Sequence, residues 1–169
     1  MGCGSGQMDT DIVPKMKVSA MDISKEALVL YQYFNKNGAK LIQGDILNIP
    51  CADNSFDGVY NVGVMEHFSA EQIDIILEQF RRVLRPNGKL ILFWPPRFGL
   101  SVIFLGVVHF FLNVILRKKT RLHPDEDSLI KSKKQVIKLV EDHHFSCLRY
   151  YFGPRDLFTY VVVVAVKRG

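Results

Sequence analysis

The run Val161-Val162-Val163-Val164-Ala165-Val166 near the carboxyl end is apolar at every position. An extended chain sends successive side chains to opposite faces of a sheet, so this segment needs cover on both sides. It is predicted to be an interior strand of a sheet in a layered fold. The upstream sequence supplies the other layers. Residues 17–21 read as a strand ending at Asp22, followed by Ser24 as the N-cap of a helix through Ala27, Leu28, Leu30, Tyr31 and Phe34 that closes at Gly38. Residues 40–43 and 56–62 read as the second and third strands. Ser69 and Gln72 fit a capping box, and Ile73, Ile76, Leu77, Phe80, Val83 and Leu84 then fall on one helical face. Pro86-Asn87-Gly88 reads as a turn into a fourth strand at 89–93, with Trp94 at the sheet edge. Ser132 with Gln135 suggests a third helix. Residues 145–152 and 157–167 read as a hairpin around Gly153-Pro154-Arg155-Asp156. Strands alternating with helices, then a hairpin, predict an α/β fold: a mainly parallel sheet closed by a C-terminal antiparallel hairpin, in one domain over 1–169.

Composition narrows the function. The chain has 169 residues and a net charge of +5, too small an excess to argue for nucleic acid. Cys3, Cys51 and Cys147 are an odd number without CxxC spacing, which argues against a disulfide framework or zinc site and for a reducing, cytoplasmic setting. No metal site is expected: His143-His144 beside Glu141-Asp142 reads as a solvated helix end, because adjacent residues do not converge on one ion. No basic segment followed by an apolar run opens the sequence, so it does not start with a secretory signal.

The chemistry concentrates at the start. Gly2, Gly4 and Gly6 make a glycine-rich loop with Cys3 inside it. Asp22 ends the next strand sixteen residues after Gly6, and Asp45 ends the one after that. Open α/β sheets bind ligands at the carboxyl ends of their strands, where a carboxylate can accept from a ribose diol or an adenine amino group. A nicotinamide-dinucleotide fingerprint fits less well, because GxGxxG would put glycine where Gln7 stands.

The pieces GCGSG at 2–6, AMDIS at 20–24, GDILNIP at 44–50, FDGVYNVGVMEHF at 56–68 and RRVLRPNGKLIL at 81–92 resemble the class I S-adenosylmethionine-dependent methyltransferases, the small-molecule group especially. The resemblance covers nearly the whole chain and implies a Rossmann-like fold with S-adenosyl-L-methionine as cofactor. It implies that Gly2, Cys3, Gly4 and Gly6 approach the methionine part, Asp22 binds the ribose hydroxyls, and Ile23 packs on the adenine. Asp45 and the backbone of Ile46 would read the adenine edge. Asn61 and Gly63 would line the methyl-donor end, with Glu66 and His67 near the acceptor and His67 the catalytic base for a hydroxyl. Members carry a buried strand before the glycine loop. Its absence here reads as N-terminal truncation, with the strands at 17–21 and 57–62 flanking the vacant position and a marginally stable chain as the consequence.

Residues 98–116 carry no formal charge and are followed by Arg117, Lys118, Lys119 and Arg121. As a helix they would span roughly 28 Å. A true span would separate the hairpin from its sheet. The hydrophobic and basic insertion at 97–131 is therefore read as a surface for a lipid-like acceptor or a membrane interface, touched peripherally through 98–121, or for a second copy in a homodimer. The function implied is methyl transfer to a small lipophilic acceptor, most readily at oxygen. The alternative is a truncated, non-catalytic relative that acts as a binding or membrane-associated protein.

Overall fold

The computed structural model describes residues 1–36, 38–99 and 128–169. Most of the insertion at 97–131, and with it residues 100–121 of the expected surface at 98–121, lies outside the described residues. The elements run β1 (Val18–Asp22), α1 (Lys25–Asn35), β2 (Ala39–Gln43), β3 (Phe56–Val62), α2 (Ala70–Val83), β4 (Leu84–Trp94), α3 (Lys133–Asp142), β5 (Phe145–Tyr151) and β6 (Val161–Lys167). The α/β class is as expected.

Local chemistry explains the helices. The Ser24 hydroxyl accepts from the Ala27 N–H at 3.1 Å, and α1 buries Leu28, Tyr31 and Asn35 at helical spacing. The helix closes earlier than expected, on Lys36 in the left-handed region (φ 45°), with its N–H donating to Gln32 O; Gly38 lies beyond. In α2 both arms of the capping box form, Gln72 N–H to Ser69 Oγ and Ser69 N–H to Gln72 Oε1. In α3 the Ser132 hydroxyl caps Gln135 N–H, but the Gln135 side chain accepts from Lys131.

The sheet is split. β1 pairs only with β2, in parallel, and a second sheet has the order β3-β4-β6-β5 among the described residues. Within it β3 and β4 are parallel, and β6 is antiparallel to both of its neighbours. β6 is interior, and Val161, Val163 and Ala165 are fully buried. The strand starts at Val161, not at residue 157, because Leu157 and Phe158 take left-handed backbone angles. Leu84 leaves the helical face assigned to it: fully buried, it opens β4 and pairs with Phe56. β4 therefore runs through Pro86-Asn87-Gly88, where Asn87 is left-handed (φ 63°) and the pairing with β3 slips register. Trp94 is on this interior strand, not at an edge, and its indole N–H donates to Ser128 O.

One core holds the two sheets together. Met21 of β1 and Val59 of β3 belong to the same apolar cluster as Ile46, Ile49, Met65 and the buried face of α2. β1 and β3 do not pair; a cleft of about 1440 Å³ separates their facing edges.

Candidate active site

The carboxyl ends of β1, β2 and β3 converge on the glycine loop. Gly44 N–H donates to Asp22 O, which sets the end of β2 beside the end of β1. Asp22 is a junction. Its Oδ2 accepts from Gly4 N–H at 2.9 Å and its Oδ1 from Ser24 N–H at 3.0 Å. The carboxylate thus pins the loop and caps the turn into α1, and each oxygen retains a lone pair for another donor. Ile23 is 69% exposed, an apolar side chain presented to solvent next to that carboxylate. Asp45 is exposed; its Oδ1 accepts from Leu47 N–H at 2.9 Å in a local turn. Ile46 follows with its side chain buried in the core, which leaves its backbone as the part that can meet a ligand.

The glycines differ in what requires them. A side chain on Gly2 would meet Val64 Cγ2 at 2.6 Å, and one on Gly6 would meet the Tyr31 ring at 2.2 Å. No described residue lies within 4 Å of the position a side chain would take on Gly4. Packing thus accounts for Gly2 and Gly6, and Gly4 is the loop residue that faces open space.

Behind the loop, Asp9 is buried and accepts from the Tyr31 hydroxyl at 2.7 Å and from the Tyr60 hydroxyl. Burial first, then the Asp9 carboxylate, pushes both phenols above their ordinary range. Asn35 Nδ2 donates to Gly6 O and to Tyr31 O. Sequence places Tyr31 only on the α1 helix and does not mark Asp9, Asn35 or Tyr60; together they hold the loop against α1 and β3.

Cys3 is half-buried in the loop. Burial, helped by the Asp22 charge, pushes its thiol up to about 11. Since the thiolate is the nucleophile, iodoacetamide should alkylate Cys3 slowly at pH 8, with the rate still climbing towards pH 11. A Cys51→Ser/Cys147→Ser variant isolates this thiol. A rate plateau below pH 9 would show that Cys3 is an activated nucleophile.

At the end of β3, Asn61 is 1% exposed and neither amide atom has a hydrogen-bond partner among the described residues. Gly63 is left-handed (φ 63°), and a side chain there would approach Tyr160 Oη at 3.2 Å and Glu66 Oε1 at 3.3 Å. Glu66 is buried, whereas His67 is exposed on the turn Met65–His67. Tyr160, which no spacing rule marks, thus joins Gly63 and Glu66, because β6 enters the sheet at the end where β3 leaves it. His143, by contrast, faces Leu139 O and Asp74, away from this end.

The orphaned Asn61 amide, the open space at Gly4 and the exposed Ile23 beside Asp22 fit a nucleoside carrying a polar tail, laid across the strand ends. The cleft between β1 and β3 opens onto this same end: Gly4, Asn61 and Gly63 line it, whereas Asp22 and Asp45 do not.

Comparison with known proteins agrees with this arrangement. The family model described as "Methyltransferase domain" matches residues 1–92. A sterol 24-C-methyltransferase of Gibberella zeae is 33% identical over 98 residues, which are 52% of this chain and 24% of that protein. The chain therefore spans about a quarter of that relative's length. Among solved structures, an S-adenosylmethionine-dependent methyltransferase of Methanosarcina mazei superposes with a TM-score of 0.72 at 20% identity, covering 99% of this chain and 90% of that one. The 1,6-didemethyltoxoflavin-N1-methyltransferase of Burkholderia thailandensis, solved with S-adenosylhomocysteine, gives 0.71 at 15% identity, covering 99% and 69%. With the family model over more than half of its length and this fold beneath the site, the chain belongs to the class I S-adenosylmethionine-dependent methyltransferases.

Proposed function

We propose that this chain binds S-adenosylmethionine across the ends of β1, β2 and β3 and supports methyl transfer to a small lipophilic acceptor, first of all a hydroxyl. The observation that carries the reading is the Asp22 carboxylate, which joins the glycine loop to the turn after β1 and keeps acceptor capacity beside the exposed Ile23. When bound, the cofactor supplies a methyl group activated by a sulfonium. The chain's own part is to bind and orient. Asp22 accepts from the ribose hydroxyls, and Ile23 covers the adenine. Asp45 and the Ile46 N–H meet its edge. Asn61, Gly63 and Gly4 surround the amino-acid tail. Positioning supplies most of the rate when the acceptor is already nucleophilic. For a hydroxyl, a ring nitrogen of His67 takes the proton.

The acceptor class is supported by an aromatic group at the same end of the sheet. Phe98 and Phe158 each pack edge-on against Phe152, with ring centroids 5.1 and 5.4 Å apart, yet they stay 45% and 37% exposed, and Leu157 is 75% exposed. The apolar and basic residues at 98–121 support a peripheral contact with an anionic bilayer from which such an acceptor is drawn. No helix among the described residues is long and apolar enough to cross a membrane.

Titration calorimetry with S-adenosylhomocysteine tests the cofactor reading, and methyl-labelled S-adenosylmethionine incubated with a lipid extract tests the acceptor. Saturable one-site binding with label in the organic phase is expected. No heat and no thermal shift at millimolar ligand would overturn both. Binding without label transfer would favour the non-catalytic reading.

A further inference from the structure

We infer that Arg82 is the positioning residue of the adenine end: from α2 it aims the loop that carries Asp45 and Ile46, and it touches no ligand itself. The role rests on the adenine contacts proposed for those two residues.

The loop fixes its own shape but not its aim. Leu47 N–H donates to Asp45 Oδ1 at 2.9 Å and Asn48 N–H to Asp45 O at 3.1 Å. At its start the loop hangs from β2, which pairs only with β1 among the described residues. Its far end is where α2 takes hold. Gln79 and Arg82 stand three apart and so share a helical face. Arg82 Nη2 donates to Ile49 O and Nη1 to Cys51 O, both at 2.7 Å. The Gln79 side-chain carbonyl accepts from Ile49 N–H at 3.1 Å and from Arg82 Nη2 at 2.9 Å. One pair of side chains thus holds both backbone groups of Ile49.

The hold reaches Asp45 through Pro50. Pro50 lies between the two gripped carbonyls, and its ring is 2.7 Å from where a side chain on Gly44 would stand. Gly44 immediately precedes Asp45, and its N–H donates to Asp22 O at 3.0 Å. The base of the loop is therefore closed, Gly44 against Pro50, with Ile46 and Ile49 seated in the core. Released from Arg82, Pro50 no longer braces Gly44, and the Asp45 carboxylate loses its fixed place beside Asp22.

The guanidinium keeps nothing for a ligand. It carries five N–H groups. Nε donates to Gln79 Oε1 at 3.3 Å, Nη2 to Gln79 Oε1 and Ile49 O, and Nη1 to Cys51 O and Asp53 Oδ1. A rigid fork grips two carbonyls at once, which a lysine ammonium does not reproduce. The Asp53 side chain is 68% exposed, so its ion pair adds little.

Calorimetry with S-adenosylhomocysteine and with S-inosylhomocysteine, in which an oxygen replaces the adenine amino group, reads the aim of the loop as a ratio of affinities. The unmodified chain should favour the adenine ligand at least about tenfold, because the Asp45 carboxylate accepts from an amino group and repels an oxygen. Arg82→Met should bring that preference below about threefold. Arg82→Lys should do the same while keeping the charge, and it carries the test if Arg82→Met does not fold. Asp53→Ala removes only the exposed ion pair, and Gln79→Glu keeps the acceptor for Ile49 N–H; both should retain the original ratio. A role in stability alone lowers the melting temperature and weakens both ligands alike, so an unchanged ratio in folded Arg82→Lys would overturn the positioning role. Equal binding of the two ligands by the unmodified chain would instead remove the adenine contact of Asp45, and Arg82's role with it. Binding of neither would remove the cofactor reading itself.

Discussion

Gly6→Ala is expected to be the most destabilising single substitution in the glycine loop, at about 3 kcal/mol. Two costs add. The residue is held at φ 64°, where an L side chain costs about 1–2 kcal/mol. Its new methyl would lie 2.2 Å from the Tyr31 ring and 2.8 Å from Asn35 Nδ2, and overfilling a packed site costs roughly 1–3 kcal/mol. The ring cannot swing away cheaply. Tyr31 is fully buried, its hydroxyl is tied to Asp9, and Asn35 is tied to Gly6 O. Gly4→Ala is the internal control. It is also left-handed, at φ 50°, but a methyl there meets open space, so its cost should stop at the backbone share. Urea unfolding of both variants measures the difference. If Gly6→Ala and Gly4→Ala shift the midpoint equally, the contact between the loop and Tyr31 carries no energy and the loop is not seated on α1.

The sequence was legible where a local rule decides the outcome. Ser24 and Ser69 cap their helices because a hydroxyl at that position meets N–H groups that no other residue can reach, and the spacing of Ile73, Ile76, Leu77, Phe80 and Val83 admits one buried face. The apolar run from Val161 had one place to go, the sheet interior. Asp22 and Asp45 could be set at strand ends because β1 and β2 were visible on either side of α1. Tertiary pairing hid the rest. Leu84 reads as helix by periodicity, yet the strand pairing of Phe56 claims it. The turn residues Pro86, Asn87 and Gly88 are absorbed into β4 as an irregularity, since β3 continues past them to pair Phe56 with Leu84. The links of Asp9 to Tyr31 and of Tyr160 to Gly63 join residues distant in sequence, and no periodicity or spacing announces such contacts.

Asp22→Ala should weaken S-adenosylhomocysteine at least about tenfold, and the design of the measurement decides which of two roles is lost. The structure gives the carboxylate one role already: it accepts from Gly4 N–H and Ser24 N–H and so fixes the loop against the end of β1. Contact with the ribose diol is the second, and a hydrogen bond to a charged group is worth roughly 1.5–3 kcal/mol, which corresponds to at least tenfold in affinity. A double-mutant cycle separates them by pairing Asp22→Ala with the 2′,3′-dideoxy analogue of the ligand. If Asp22 meets the diol, the substitution costs tenfold or more with the hydroxylated ligand and little with the dideoxy analogue, so the coupling is large. If Asp22 only anchors the loop, both ligands weaken alike, and the coupling is near zero. Circular dichroism must show the variant folded, because losing the bond to Gly4 also loosens the loop. Undiminished affinity for S-adenosylhomocysteine in a folded Asp22→Ala would remove this residue from the site, and with it the observation on which the proposed function rests.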